Sequence, residues 1–215
     1  MAFIIIEGPD FCGKTTQIRL LQDIYSSNNN IMFTREPGSH LANSMKQCEE
    51  LRQRILFEEN TIEEEARLFA ESRLIHTKDI IDLLENNKTI ISDRYIISSL
   101  AYQGYAQKLG KNKILEINKD VIDLLKENNI KIHCIKFEIS KDVWKARKRA
   151  RLSHTDLDKI EEKDIHDSVL EFFSNSEIYN EWIDGLDIIT HVVNCDNNIY
   201  SINQSIIKII NEIML

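Results

Sequence analysis

Short apolar, β-branched runs alternate along this chain with stretches whose apolar positions recur at helical spacing. The first run, Ala2-Phe3-Ile4-Ile5-Ile6, predicts a strand over 2–6, and a helical pattern follows from 14 to about 26. Ile31-Met32-Phe33-Thr34 predicts a second strand, helical patterns cover roughly 40–57 and 61–86, and Thr89-Ile90-Ile91-Ser92 predicts a third strand. A helix over about 114–127 then leads to a strand from Lys131 to Phe137. A basic helical stretch from about 141, a long helix near 161–182, a strand from His191 to Cys195 and a terminal helix from about 201 complete the pattern. Glu85-Asn86-Asn87 and Glu127-Asn128-Asn129 each close a helix just before a strand, asparagine being tolerant of the left-handed conformation that a helix exit needs. Strands separated by helices imply βαβ crossovers, so the expected fold is α/β, a five-stranded parallel sheet wrapped by helices. Ligands of such sheets bind beyond the carboxyl ends of the strands, which directs attention to the residues just after each one.

After the first strand comes Gly8-Pro9-Asp10-Phe11-Cys12-Gly13-Lys14-Thr15-Thr16. The spacing Gly8-x4-Gly13-Lys14-Thr15 is a phosphate loop between strand and helix. Its glycines let backbone N–H groups close on polyphosphate, its lysine reaches the β- and γ-phosphate oxygens, and its threonine hydroxyl reaches Mg²⁺. The helix that opens at Lys14 adds its positive end to the same anion site. A bound nucleoside triphosphate with Mg²⁺ is therefore expected, without a choice of reaction.

Composition narrows the class. The 215 residues suffice for one core, and no Pro/Gly/Ser-rich linker divides them, so a single domain over 1–215 is expected. A net charge of -8 disfavours a general nucleic-acid binder, and the basic run Lys145-Ala146-Arg147-Lys148-Arg149-Ala150-Arg151 is weak support for one on an acidic chain. No apolar stretch approaches the length of a membrane span, and no signal-peptide pattern opens the sequence, so no membrane association and a cytoplasmic location are expected. Cys12, Cys48, Cys134 and Cys195 are too scattered for a zinc ribbon or a redox pair and are read as free thiols.

The second strand is followed by Thr34-Arg35-Glu36-Pro37-Gly38, and the third by Asp93-Arg94-Tyr95-Ile96-Ile97-Ser98-Ser99-Leu100-Ala101-Tyr102-Gln103-Gly104. With Phe69-x-x-x-Arg73 between them and an arginine-rich lid at about 145–160, this order of blocks resembles the thymidylate kinases, P-loop enzymes that move the γ-phosphoryl of ATP onto dTMP. The resemblance spans nearly the whole chain and implies a nucleoside monophosphate kinase-like fold, ATP and dTMP as substrates, and a homodimer joined through helices. Apolar positions on the 40–57 and 61–86 patterns can supply that dimer face. The pattern departs at Ser39-His40, Ser72 and Lys159, none of which removes a catalytic cation or metal ligand.

The chemistry follows from the residues as well. Phosphoryl transfer between two polyanions needs cations at the acceptor phosphate and a metal across the donor phosphates. Arg35 and Arg94, at the ends of two strands, can grip an acceptor phosphate by bidentate contacts. Asp93 closes an apolar strand where a carboxylate can hold Mg²⁺ or its waters, with Thr15 as the direct hydroxyl ligand. Phe69 and Arg73 lie one turn apart on a helix, so an aromatic face can stack a base while a guanidinium reads a base carbonyl. The resemblance assigns Asp10 to the acceptor sugar or the metal shell, and Tyr102 and Gln103 to sugar and base. It flanks these with Ser98 and Ser99, the latter nearer the base. Members of the resembled family carry a catalytic arginine either inside the phosphate loop or in the lid. Phe11 cannot supply charge, so Arg149 and Arg151, beside the polar turn Ser153-His154-Thr155, are expected to act, with Arg147 structural. Cys12, beside a helix N-terminus, is expected to be a reactive thiol that ATP protects. The rival readings are a nucleoside kinase acting on thymidine, which has no use for two arginines aimed at an acceptor phosphate, another nucleoside monophosphate kinase, and a catalytically weak nucleotide-binding module.

Overall fold

A computed structural model describes residues 1–152 and 164–215. Among these residues five strands form one parallel sheet: β1 (Phe3–Glu7), β2 (Ile31–Arg35), β3 (Thr89–Asp93), β4 (Ile132–Glu138) and β5 (Ile188–Asn194). Their order is β2-β3-β1-β4-β5. The expected α/β sheet is therefore present, with β1 at its centre between β3 and β4. Burial on both faces accounts for the unbroken apolar run of β1, since a strand covered by helices on each side has no polar face.

Helix α1 (Lys14–Ile24) and the terminal helix α10 (Ile199–Met214) cover one face. Ile18 and Leu21 meet Ile202, Ile206 and Ile210 there, over Ile4, Ile6 and Ile135. The other face is covered chiefly by α3 (Ile62–Glu85) and by a helical segment that begins as α4 (Ile96–Ser99) and continues as a π-helix over Leu100–Ala106. Thr61 starts α3 with a reciprocal cap: its hydroxyl accepts from Glu64 N at 3.2 Å while Glu64 Oε2 accepts from Thr61 N at 2.8 Å. The exits before β3 and β4 are as expected, with Asn87 at φ 58 and Asn129 at φ 53.

Several boundaries differ from the periodicity. The pattern over 40–57 yields α2 (Met45–Phe57), because the Ser44 hydroxyl and amide both turn to Asp79 Oδ2, at 2.8 and 3.0 Å, and start the helix there. One helix over 114–127 becomes α5 (Lys111–Ile117) and α6 (Lys119–Glu127), split at buried Asn118. The long helix near 161–182 becomes α8 (His166–Ser174) and α9 (Ser176–Ile183), because Asn175 Oδ1 caps α9 by accepting from Glu177 N and Ile178 N. β5 begins at Ile188 rather than His191, paired with β4 along its length. The basic stretch forms α7 (Lys141–Leu152). The lid residues Ser153-His154-Thr155 and Leu157-Asp158-Lys159-Ile160-Glu161 lie outside the described residues.

Candidate active site

The phosphate loop runs from the end of β1 into α1 at the carboxyl edge of the sheet. Gly8 has to be glycine, since a Cβ there would stand 2.8 Å from Phe137 Cβ. Gly13, at φ 103, supplies the left-handed turn that caps α1. Lys14 curls back over the loop, its ammonium donating to the carbonyls of Gly8 at 2.9 Å and Pro9 at 2.8 Å. Phe11 also takes a left-handed conformation, φ 64, and its ring packs against His166 and Trp144. Helix α7 ties the loop down from outside. Trp144 Nε1 donates to Asp10 O at 2.8 Å, and the Arg147 guanidinium spans Cys12 O at 2.6 Å and Cys195 O at 2.7 Å.

Two cavities open on this edge. The first, of about 340 Å³, is lined by the loop from Asp10 to Thr16 and by Gln17, Ile199 and Ile202 at its far end. The second, of about 320 Å³, is lined by Arg35, Pro37, Phe69, Ser98, Tyr102 and Gln103 among others. They meet at Asp10, Thr15, Asp93, Arg94 and Arg151, which line both.

At that junction Arg94 forms an ion pair with Asp10 and donates to Ser98 Oγ at 3.1 Å, with its guanidinium carbon 5.1 Å from the centre of the Tyr102 ring. Tyr102 Oη donates to the other Asp10 oxygen at 2.7 Å. Burial alone would push the Asp10 carboxyl up, but Arg94 and Lys14 outweigh it and hold the group below its usual range. The phenol of Tyr102 is driven well above its ordinary value by burial. Beneath them Glu7, wholly buried, accepts from Tyr95 N at 2.7 Å, Ser98 N at 3.2 Å and Ser98 Oγ at 2.7 Å. Burial raises its pKa from 4.5 to about 7 against the pull of Arg94 and these bonds.

The second cavity's wall is tied to α2 and α3. Arg35 Nη2 donates to both oxygens of Glu49 at 3.0 and 3.1 Å, while its buried Nε has no hydrogen-bond partner among the described residues. Arg73 does not line either cavity. Its Nε donates to Glu36 Oε2 at 2.8 Å, its Nη1 to Asn118 Oδ1 at 2.6 Å and its Nη2 to Ser99 Oγ at 3.1 Å, all within the protein. Ser99 is buried with it. Phe69, one turn before Arg73, does reach the second cavity. In α7, Arg151 lines both cavities, Arg147 lines the first, and Arg149 is exposed and lines neither.

For Mg²⁺ the donor set fits. Thr15 and Asp93 both line the junction, and Asp93 Oδ1 is buried with no hydrogen-bond partner among the described residues, an oxygen that a cation or its water would satisfy. All four cysteines are free thiols. Cys12, however, is 1% exposed and packs into the core below the loop, its Sγ 3.7 Å from the Lys14 ammonium, so the expectation of a readily alkylated thiol is corrected. No described helix is long and apolar enough to cross a membrane. The carboxylates Glu7, Glu49 and Glu65 and the indole of Trp144 escaped the sequence reading, because each acts on a partner distant in sequence.

A profile of the family described as "Thymidylate kinase" matches residues 6–205. The chain is 34% identical over 174 residues to a thymidylate kinase of Staphylococcus haemolyticus (strain JCSC1435), covering 79% of this chain and 80% of that protein. It is 40% identical over 128 residues to a thymidylate kinase of Clostridium novyi (strain NT), covering 57% and 60% respectively. The crystal structure of thymidylate kinase from Ehrlichia chaffeensis superposes with a TM-score of 0.64 at 26% identity, over 98% of each chain.

Proposed function

The chain belongs to the thymidylate kinase family, and from that premise we propose how its two cavities divide the work of moving the γ-phosphoryl of ATP to dTMP to form dTDP. The observation that carries this reading is the junction: two cavities of similar size share Asp10, Thr15, Asp93, Arg94 and Arg151, so donor and acceptor phosphates meet where charge is densest. The first cavity takes ATP. Residues Gly8 to Thr16 wrap its phosphates, and the Lys14 ammonium leaves the Gly8 and Pro9 carbonyls for phosphate oxygens, which bear more charge. Thr15 and Asp93 would hold Mg²⁺, which when bound would supply neutralisation of charge on the donor phosphates.

The second cavity takes dTMP. Arg94 and Arg35 hold its phosphate, with Arg35 exchanging part of its contact with Glu49 for the ligand. Phe69 stacks the base, Gln103 meets its edge, and Asp10 with Tyr102 faces the sugar. Ser98 orients Arg94. Arg73 and Ser99 shape the base end from behind, through Glu36 and Asn118. Little covalent help is needed. The protein aligns two phosphates at a junction where Arg94 and Arg151 stand among the shared lining, so fixed charges meet the charge that develops on the transferring group. Arg151 and Arg149 are the candidates for the further cation that Phe11 cannot be, Arg151 the better placed because it lines both cavities. Arg147 holds the loop rather than the phosphoryl group.

Residues 1–215 act as one P-loop kinase domain, and the protein works in the cytoplasm as a homodimer through α2 and α3, where Met45, Phe57 and Ile62 are 43%, 69% and 38% exposed. Sedimentation velocity tests that assembly, a monomer at micromolar concentration counting against it. A coupled ADP-release assay across dTMP, dUMP, dCMP, UMP and thymidine tests the function. The expected result is turnover of dTMP far above thymidine; thymidine as the better acceptor would overturn the phosphate-accepting role of Arg35 and Arg94.

A further inference from the structure

Gln103 lines the second cavity yet is only 1% exposed, and its two amide atoms are treated differently by the protein. Its Nε2 donates to Glu65 Oε1 at 2.9 Å, and a second amide, that of Gln107, points its Nε2 at the same oxygen at 3.5 Å. An oxygen that receives two N–H groups is an acceptor and nothing else, so the Gln103 amide cannot turn over without setting oxygen against oxygen. Glu65 is itself 1% exposed, fixed inside the helix that also carries Phe69. The consequence is that Gln103 Oε1 is left over: it is buried and has no hydrogen-bond partner among the described residues. A buried acceptor without a donor is costly, which makes the cavity selective for an occupant that brings an N–H to that point.

We propose that Glu65 is a positioning residue for base selection: by holding the Gln103 amide nitrogen, it presents a lone acceptor to the base. This rests on the assignment of the second cavity to the acceptor nucleotide. The chemistry that answers a lone acceptor is the imino N3–H of thymine and uracil. Cytosine brings a lone pair at N3 instead, and its approach sets acceptor against acceptor. Glu65 touches no substrate. Its effect passes through the orientation of one amide.

The test compares the parent with Glu65→Gln, whose amide can either accept from or donate to Gln103 and so frees it to rotate. Steady-state kcat and KM are measured for dTMP, dUMP and dCMP at saturating ATP, and binding of dTMP and dCMP without ATP is followed by calorimetry. The kcat/KM ratio of dTMP to dCMP is expected to fall about tenfold or more, mostly through KM, because a site built around one hydrogen bond discriminates by leaving it unmade. The values for dTMP and dUMP should move together, and KM for ATP should stay put. A merely structural role for Glu65 would lower all three acceptors alike and leave the ratio unchanged, which overturns the proposal. Gln103→Met, which removes the acceptor while keeping the length, guards against a Glu65→Gln protein that fails to fold; retention of the parental ratio there also overturns it. A parent that accepts dCMP as readily as dTMP fails at the reading beneath, since no selection then exists for Glu65 to set.

Discussion

The wall of the first cavity is shaped chiefly by backbone. Gly8 and Gly13 set the path of the loop, and Trp144 and Arg147 grip it by the carbonyls of Asp10 and Cys12. Around the second cavity the polar groups are held by other side chains, in pairs: Arg35 with Glu49, Arg94 with Asp10, Gln103 with Glu65. A loop made of backbone amides reads any polyphosphate, because every triphosphate offers the same oxygens. A wall of oriented side chains reads one molecule, because each pair fixes which atom is offered and where. The division suits an enzyme with a common donor and a particular acceptor. It also makes the two halves fail differently, with losses of turnover on the donor side and losses of selectivity or pH tolerance on the acceptor side.

The largest effect expected on the donor side is that of Lys14→Ala. The ammonium bonds back to the Gly8 and Pro9 carbonyls and to Cys12 Sγ, while Gly8, Gly13 and the ties from Trp144 and Arg147 are left in place by the substitution, so the protein should fold. Its kcat should drop by about 10² to 10³, the scale for removing one preorganised donor to developing charge. Stopped-assay kcat with circular dichroism on the same sample decides it; a folded variant with near-parental kcat breaks the assignment of the loop. At the junction the effect should be smaller and unequal. Arg151 lines both cavities and Arg149 neither, so Arg151→Ala is expected to lower kcat by about tenfold or more and Arg149→Ala by much less, with ATP affinity nearly unchanged in both. Equal losses in the two variants would remove the distinction, and parental rates in both and in the double variant would sink the idea that a lid arginine acts.

The two halves were also unequally legible in the sequence. Gly8 to Thr16 could be read because consecutive residues make the whole device, and strand, loop and helix occur in the order its geometry needs. Asn87 and Asn129 were legible for the same reason, each setting its own backbone. The acceptor half was readable only where a motif marked it. Arg73 looked like a base-reading arginine four residues after Phe69, but spacing on a helix does not say whether a side chain continues past the wall, and here Glu36 and Asn118 hold it inside. The inward turn of Asn118 that serves Arg73 is also what splits the expected helix into α5 and α6. The π-helical segment carries apolar residues on all sides because it is buried, which erases the period that would have announced it. Glu7, Glu49 and Glu65 read as ordinary charges, since nothing local distinguishes a carboxylate whose partner lies in another element.

Glu7 gives the smallest effect and the one that most sharpens the comparison, because it stands where the halves join. Its carboxyl ends β1 below the phosphate loop and accepts from Tyr95 and Ser98, the residues that open the helical segment of the acceptor side. Burial raises its pKa from 4.5 to about 7, so over that interval the folded protein keeps a proton that the unfolded chain has released. Stability contributed by the protonated group is therefore complete below pH 4.5 and is lost as pH rises to about 7, with a slope of about 1.4 kcal/mol per pH unit at most, beyond which no further change comes from this residue. Glu7→Gln keeps an oxygen for the Tyr95 and Ser98 amides and has nothing to titrate. Denaturant melts of parent and variant across pH 5 to 8 should show the variant gaining on the parent as pH rises, by about 1 to 3 kcal/mol in all, while other groups cancel between the two proteins. Parallel curves would mean that Glu7 is ionised throughout, held by Arg94 more firmly than burial opposes, and that the two halves are joined by a fixed charge rather than by a protonatable one.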